Sequence, residues 1–456
     1  MNIIFVSPEC FPFAKEGSLA ELVAYLSRGI EKPGHNVKIF MPRYGCIDPV
    51  QFHIERLPID FKVTYKGSLV SASVYKGILP DSLVSIFFIE SQIHFSNSKE
   101  IYSTRPQDVD RFSFFSSSIP EIISKLKIDV DVLHLFNPES TELAFILKSN
   151  KSSYPGLNKV PIIFTINNIR DFSQSSIENI VHGINYSSFV TTVSSSYASE
   201  LLEDHKINEI SAALQKKQDF FCGILSGIDE NIYNPETDKD IAQTYSKSYF
   251  SIGKRKCKEE LLKIAALDKD FQLPVFAIST EGIENESINL ITDAIPHISS
   301  LPVLIIILAK GNELERYTAT LSRLKNVKIL TCPDYSLTNK LLAGSDFLIS
   351  INKTEPDGVI ALKGMRYGCV PIAYETGAIK EIITDGVNGI VFKTYTTHEF
   401  IEKVDIALKQ YKNKETWTRL IKEAMNFSLN TGEITKQYLK CYEGVAGVLS
   451  GQNPAR

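Results

Sequence analysis

The chain lacks the features that mark membrane, secreted and nucleic-acid-binding proteins. Among its 456 residues no apolar run approaches the ~20 residues that cross a bilayer. Its 49 basic and 53 acidic residues leave a formal net charge of -4, which gives no attraction to nucleic acid or to an anionic membrane. The first residues form neither a basic nor a long apolar segment, so we expect no signal peptide and a cytoplasmic protein.

Cysteine is also scarce. The seven cysteines are scattered and odd in number, and no two of them form a CxxC pair. A disulfide framework needs paired cysteines, and a zinc site needs ligands at short, fixed spacings. The pattern therefore indicates a reducing, cytosolic setting, and we expect neither a metal nor a cofactor. The length allows two or three domains with substantial cores.

A strand–helix–strand–helix pattern toward the C-terminus organises the rest of the chain. The apolar run Phe347–Ile351 predicts a buried strand, and a polar turn through Gly358 leads to a helix that Gly368 stops. A second strand, Cys369–Tyr374, ends at Thr376–Gly377, and another helix is predicted from about Ile379 to Thr384. Both polar loops follow the C-terminal ends of strands, where open α/β sheets bind their ligands. The N–H groups at the two helix starts predict an anion site suited to a phosphate.

The two loops and the helix between them carry a long motif, which reads Glu355-Pro356-x-Gly358, then Met365-Arg366-Tyr367-Gly368-x-Val370-Pro371, then Thr376-Gly377. This motif resembles the nucleotide-sugar motif of the bacterial glycogen and starch synthases. Members of that family are retaining glycosyltransferases of the GT-B fold. The resemblance therefore implies an α/β protein with two Rossmann-like domains, whose parallel sheets face each other across a cleft. Asp357 stands where the family has cysteine, and Ala378 where it has a second small glycine.

The N-terminus resembles the same family. Asn2–Ser7 predicts a strand, and a helix opens at Gly17, as in any Rossmann-like first crossover. The family reads Lys-x-Gly-Gly-Leu here; Lys15 and Gly17 match, whereas Ser18 adds a side chain near the expected pyrophosphate. The residues that the resemblance implies for nucleotide-sugar binding are Lys15, Gly17, Glu355, Gly358, Thr376 and Gly377.

A structural interpretation of the same residues stays open. The glycines can be kept because their turns need them. In that interpretation Lys15 is a surface lysine and Glu355 is a solvated acid at a helix start.

The residues that the family uses for catalysis are replaced. The family has His-x-x-Asp-Trp-His where this chain has residues 134 to 139, so Glu139 stands where its last histidine faces the reacting sugar. A gapless alignment of the second domain puts Glu281 and Glu286 where the family has the arginine and lysine that hold the departing pyrophosphate. His134 is kept, but a lone histidine at a strand end is more often packed than catalytic. A further family histidine is Asn167 here.

Two hypotheses follow for the function. Removing one electrostatic group at a developing charge costs on the order of 3 kcal/mol, and here two cations have become carboxylates. Under the first hypothesis, the chain still transfers glucose from ADP-glucose to an α-1,4-glucan end with retention. Under the second, which the residues favour, it is a catalytically silent paralogue. Such a protein would bind glucan, ADP or ADP-glucose, or an active synthase, as a regulator or scaffold. Rescue of the site by Mg²⁺ or a protonated glutamate is the less favoured alternative.

The predicted organisation has three parts. Residues 1–238 form the acceptor-side Rossmann-like domain, and residues 239–430 form the nucleotide-sugar-binding domain. Residues 431–456 contain a helix that crosses back to the first domain, followed by a tail. The chain between Asn168 and Phe189 has room for one helix only, so the resemblance implies a shortened acceptor groove.

Overall fold

The computed structural model describes residues 1–103, 105–149, 154–169, 173–267, 272–279, 283–309, 321, 323–331 and 335–449. They fall into two compact units. The first consists of Met1–Ser226 and the chain from Asn430 onward, and the second consists of Gly227–Leu429. Within the described ranges, no helix is both long enough and apolar enough to span a membrane.

Strands and helices alternate along most of the chain. The described strands are β1 Asn2–Val6, β2 Asn36–Pro42, β3 Glu55–Tyr65, β4 Ser68–Ile78, β5 Ser85–Glu90, β6 Val132–Phe136, β7 Ile162–Ile166, β8 Phe189–Thr192, β9 Phe221–Gly223, β10 Val275–Ser279, β11 Leu304–Ala309, β12 Val327–Thr331, β13 Phe347–Ser350, β14 Val370–Tyr374 and β15 Ile390–Phe392. The described α-helices are α1 Ser18–Glu31, α2 Arg105–Leu126, α3 Glu142–Ser149, α4 Gln174–Tyr186, α5 Ser195–Glu203, α6 Asn208–Gln215, α7 Phe250–Ile264, α8 Asn285–Ile298, α9 Tyr335–Gly344, α10 Val359–Arg366, α11 Ile379–Ile382, α12 Thr397–Lys412, α13 Lys414–Asn426 and α14 Thr431–Leu449.

The first unit is built on a nine-stranded sheet in the order β3-β4-β5-β2-β1-β6-β7-β8-β9. β4 pairs antiparallel with both β3 and β5, and the other neighbours are parallel. The central strands β6 and β7 are buried at every residue. Their mostly apolar sequences are typical of strands that are covered on both faces of the sheet. β3 instead ends in alternating buried and exposed residues.

The second unit is built on a six-stranded parallel sheet in the order β12-β11-β10-β13-β14-β15. After β10, the chain adds β11 and β12 outward on one side of that strand. It then returns to the other side of β10 and adds β13, β14 and β15 outward. The order therefore reverses between β10 and β13. In open α/β sheets, the crevice outside the carboxyl ends of the strands at such a reversal is where ligands bind.

The units divide the chain at Ser226, earlier than the boundary that the sequence suggested at Asp238. The carboxylate of Asp238 is buried in the second unit. It accepts hydrogen bonds from the Tyr367 hydroxyl and, at 3.0 Å, from the amide of Asn339. These bonds explain why residues 227–238 belong with the second unit.

The last helix, α14, belongs to the first unit. A Cβ atom on Gly29 of α1 would lie 2.4 Å from Thr435 Oγ1 of α14, so the two helices pack closely there. Tyr442, also on α14, is fully buried, and its hydroxyl lies 2.7 Å from His134 Nδ1 of β6. The last helix therefore packs into the core of the first unit.

Candidate active site

Three loops meet at the carboxyl edge of the second unit's sheet, and they follow β10, β13 and β14. The Glu284 carboxylate accepts the backbone N–H groups of Lys353 at 3.0 Å and Thr354 at 3.3 Å. On the other side, the N–H group of Ala378 donates to the Glu355 carbonyl at 2.9 Å. The loop after β13 is therefore held by both of its neighbours.

The glycines of these loops are required by the backbone. Gly377 has a φ of +46°, and a Cβ atom there would lie 2.0 Å from the Glu355 carbonyl oxygen. Gly358 has a φ of +62°, and its Cβ atom would lie 2.6 Å from Cδ1 of Ile382. Both glycines are therefore explained by the needs of their turns. The close packing of the loops also gives a ligand a fixed backbone to contact.

The helix starts are less suited to an anion than the sequence suggested. The Asp357 carboxylate accepts the N–H group of Val359, the first residue of α10, at 3.1 Å. The helix after Gly377 is the single turn α11 rather than the predicted Ile379–Thr384. One start thus already carries a carboxylate, and the other helix is too short for a substantial dipole.

Glu355 is buried, with 7% of its surface exposed, so it is not the solvated acid of the structural interpretation. The amide of Asn352 donates to its carboxyl group at 3.2 Å. Burial, and then the charge of Asp357, raises the pKa of Glu355 to about 8. This raised pKa favours the protonated carboxyl group, which can donate as well as accept a hydrogen bond. Thr376 is also buried at this edge of the sheet.

Glu286 lies in the first turn of α8 and is exposed. Its carboxylate is 2.7 Å from the ammonium of Lys353, and this contact is the main cause that raises the pKa of Lys353. The Lys353 ammonium also lies 5.7 Å from the centroid of the Tyr395 ring. Glu281, the other acidic replacement, lies outside the described residues. In the described part of the chain, no group of three or more His, Cys, Asp or Glu could hold a metal ion.

In the first unit, Lys15 is buried in an ion pair with Glu21. Their side chains are 3% and 6% exposed, so Lys15 is not a surface lysine. The carboxylate of Glu9 accepts the N–H groups of Glu16 at 2.6 Å and Gly17 at 3.0 Å. The carboxylates of Glu9 and Glu21 thus already bind the backbone and the lysine at the start of α1.

His134 is a packed histidine, as a lone strand-end histidine usually is. Its Nε2 atom lies 2.6 Å from Thr165 Oγ1, and its Nδ1 atom is bound to Tyr442. Burial lowers its pKa well below the usual range. Both ring nitrogens are therefore engaged within the core. Glu139 lies in a short 3₁₀ turn after β6. Asn137, which precedes this turn in the chain, has a φ of +58°, a value that is rare outside glycine.

The sequence did not single out Lys353, Glu284 or Tyr395. Their hydrogen-bond partners lie 44 to 108 residues away along the chain, so no local pattern marks them. One available signal was the lysine two positions before Glu355, in a polar loop at a strand end.

Comparison with known proteins agrees with the motifs. The model of the starch synthase catalytic domain matches residues 2–216, and that of glycosyl transferases group 1 matches residues 266–426. The glycogen synthase of Clostridioides difficile is 27% identical over 490 aligned positions, covering 98% of this chain and 100% of that protein. The glycogen synthase of Caldicellulosiruptor bescii is 28% identical and covers 98% of this chain and 99% of its own.

A solved structure shows the fold. The catalytic domain of starch synthase IV from Arabidopsis thaliana, bound to ADP and acarbose, has a TM-score of 0.89 with this chain at 24% identity. The match covers 98% of this chain and 99% of that one. The expected GT-B fold is confirmed by this likeness and by the two α/β units, one with a mainly parallel sheet and one with a fully parallel sheet. With both family models in the expected order and full-length similarity to glycogen synthases, the chain belongs to the glycogen and starch synthase family.

Proposed function

We propose that the chain binds ADP-glucose or ADP at the loops after β10, β13 and β14 and does not transfer the glucose efficiently. The observation that carries this proposal is the contrast between two parts of one site. The loops that carry Glu355 and Gly377 are close-packed around a buried carboxyl group. Glu286, by contrast, presents a carboxylate where the family resemblance implies a lysine.

Electrostatics supports the loss of transfer. As the glycosidic bond to the diphosphate breaks, negative charge develops on the leaving group, and preorganised cations stabilise it. A carboxylate about 4 Å from that charge would cost about 4 kcal/mol at an effective dielectric constant of ~20. Because Glu286 is exposed, its side chain can turn away, so this value is an upper bound. The lost cation alone is worth about 100- to 1000-fold in rate.

Binding places smaller demands on the site than catalysis does. A neutral carboxyl group at Glu355 can exchange hydrogen bonds with sugar hydroxyl groups, and the backbone of the Gly377 loop allows a ligand to approach closely. Neither interaction requires a cation at position 286. Support for a nucleotide ligand also comes from the similar starch synthase IV structure, which is bound to ADP.

The test is calorimetric titration with ADP and ADP-glucose beside a radiolabelled glucose-transfer assay on glycogen. We expect a saturable binding signal and no label in the polymer above the protein-free control. Label transferred at a rate like that of a relative such as the Clostridioides difficile enzyme would contradict the loss of transfer. Absence of binding to either nucleotide would overturn the proposed site.

A further inference from the structure

The ion pair between Lys353 and Glu286 joins the loop after β13 to the start of α8, at the carboxyl edge of the second unit's sheet. Lys353 follows β13, Glu286 lies in the first turn of α8, and their charged atoms are 2.7 Å apart. Their side chains are 45% and 57% exposed. The lysine thus presents a positive charge to solvent beside the position where the resemblance implies a cation.

The surroundings hold this lysine in place. Glu284 accepts the N–H groups of Lys353 and Thr354, which fixes the backbone of the loop. The Tyr395 hydroxyl lies 2.9 Å from the Ile351 carbonyl oxygen and 2.9 Å from Ser287 Oγ, so the tyrosine connects the same loop to α8. The Tyr395 ring lies near the Lys353 ammonium.

The ion pair itself is of a kind that exchanges partners readily. Exposed pairs of lysine and carboxylate are stabilising by about 0 to 1 kcal/mol. A diphosphate brings more charge and more acceptor oxygens than one carboxylate, and hydrogen bonds between ionised groups are about twice as strong as neutral ones. An anion that reaches this edge can therefore replace Glu286 as the partner of Lys353.

We propose that Lys353 binds the diphosphate of the nucleotide and that Glu286 competes with the diphosphate for it in the unliganded protein. The inference rests on the proposed function and adds to it a binding residue and an internal competitor. The family position that has become acidic would then weaken nucleotide binding in two ways, by occupying the lysine and by repelling the ligand.

The test compares ADP with adenosine, which lacks the diphosphate, by calorimetry at two salt concentrations. Lys353→Met should weaken ADP binding by about tenfold or more and leave adenosine binding unchanged. Glu286→Gln should tighten ADP binding several-fold, and this gain should be smaller in the double variant, because the competition is then absent. Added salt should weaken ADP binding more in the parent than in Lys353→Met.

A second ion pair of the same unit supplies the control. Lys340 and Glu260 are 3.1 Å apart and partly exposed, so Lys340→Met and Glu260→Gln should leave the affinity for ADP unchanged. ADP binding within twofold of the parent in both site variants would overturn this inference and leave the proposed function standing. An equal loss of ADP and adenosine binding in Lys353→Met would also overturn it, since it would show a structural role.

The remaining outcomes depend on whether the parent, the protein without substitutions, binds ADP. If neither the parent nor any variant binds ADP, both proposals fail. If only Glu286→Gln binds ADP, the competition is supported as a complete block, and nucleotide binding by the parent is wrong.

Discussion

The carbonyl oxygen of Glu355 lies where a side chain on Gly377 would begin, 2.0 Å from the position of a Cβ atom. The N–H group of the following residue, Ala378, donates to that same oxygen. The loops after β13 and β14 are therefore locked together at one point. This contact fixes the backbone around the buried carboxyl group of Glu355.

Gly377→Ala should separate these loops. We expect a loss of about 2 to 4 kcal/mol in the free energy of unfolding, since left-handed backbone alone costs an alanine about 1 to 2 kcal/mol and the clash adds to it. ADP affinity should fall at least tenfold. Gly386→Ala is the control, because Gly386 has a φ of +72° but no atom within 4 Å of its Cβ position. Equal losses in the two variants, measured by denaturant titration, would show that the contact does not matter.

Glu355 should make the protein less stable as the pH rises. Between its ordinary pKa of 4.5 and its folded pKa of about 8, the folded state keeps a proton that the unfolded chain releases. Raising the pH through this window therefore favours unfolding, by up to about 5 kcal/mol at pH 9.

Glu355→Gln tests this dependence directly. Its free energy of unfolding should rise relative to that of the parent between pH 5 and pH 9. Glu402→Gln, at an exposed position of α12, should change little. Parallel curves for Glu355→Gln and the parent would contradict the buried, protonated carboxyl group.

His134 should matter for stability and not for nucleotide binding. His134→Phe removes hydrogen bonds to Tyr442 and Thr165 and should cost about 2 to 4 kcal/mol, because both buried hydroxyl groups lose a partner. Thr165 keeps its second hydrogen bond, to the Thr191 hydroxyl at 2.6 Å. The unfolded histidine takes up a proton near pH 6.5 and the folded one does not. The parent should therefore lose stability below that pH, and the variant should lose less. A large loss of ADP affinity in His134→Phe would contradict a purely structural role.

Lys254 should be essential to the second unit. Its buried ammonium donates to the carbonyl groups of Ala343 at 3.1 Å, Ser345 at 2.9 Å and Tyr367 at 3.0 Å. Lys254→Met leaves these oxygens without that donor and should destabilise the protein by about 3 kcal/mol or more. Lys256→Met, on the exposed side of the same helix, should stay within about 0.5 kcal/mol of the parent. Denaturant titration of both variants measures these free energies of unfolding, and equal small losses would contradict the role of Lys254.

The sequence predicted the repeating part of the fold and the position of two loops of the candidate site at strand ends. Apolar strands followed by glycine-containing loops, as at Gly358 and Gly377, are local signals, and the structure has both loops at strand ends. The residue pairs that give the site its chemistry are not local. Glu286 and Lys353 are 67 residues apart, and Glu284 and Lys353 are 69 apart. Sequence patterns therefore predicted which loops meet, but not which charges pair within them.

The helix after Gly377 shows another limit of the sequence. The sequence predicted a helix to about Thr384, two residues beyond its observed end, but Asn388 accepts the N–H group of Thr384 and donates to the Ile382 carbonyl. These side-chain bonds end the helix after one turn.

We propose that the replaced charges prevent efficient transfer, and their reversal tests this account most directly. Radiolabelled transfer to glycogen would be measured for the parent, for Glu139→His, Glu281→Arg and Glu286→Lys singly, and for all three together. We predict label in the polymer only with the triple variant, because groups that act together in catalysis are not additive. Transfer by the parent or by any single variant would contradict the account, as would a folded triple variant that binds ADP-glucose and transfers nothing.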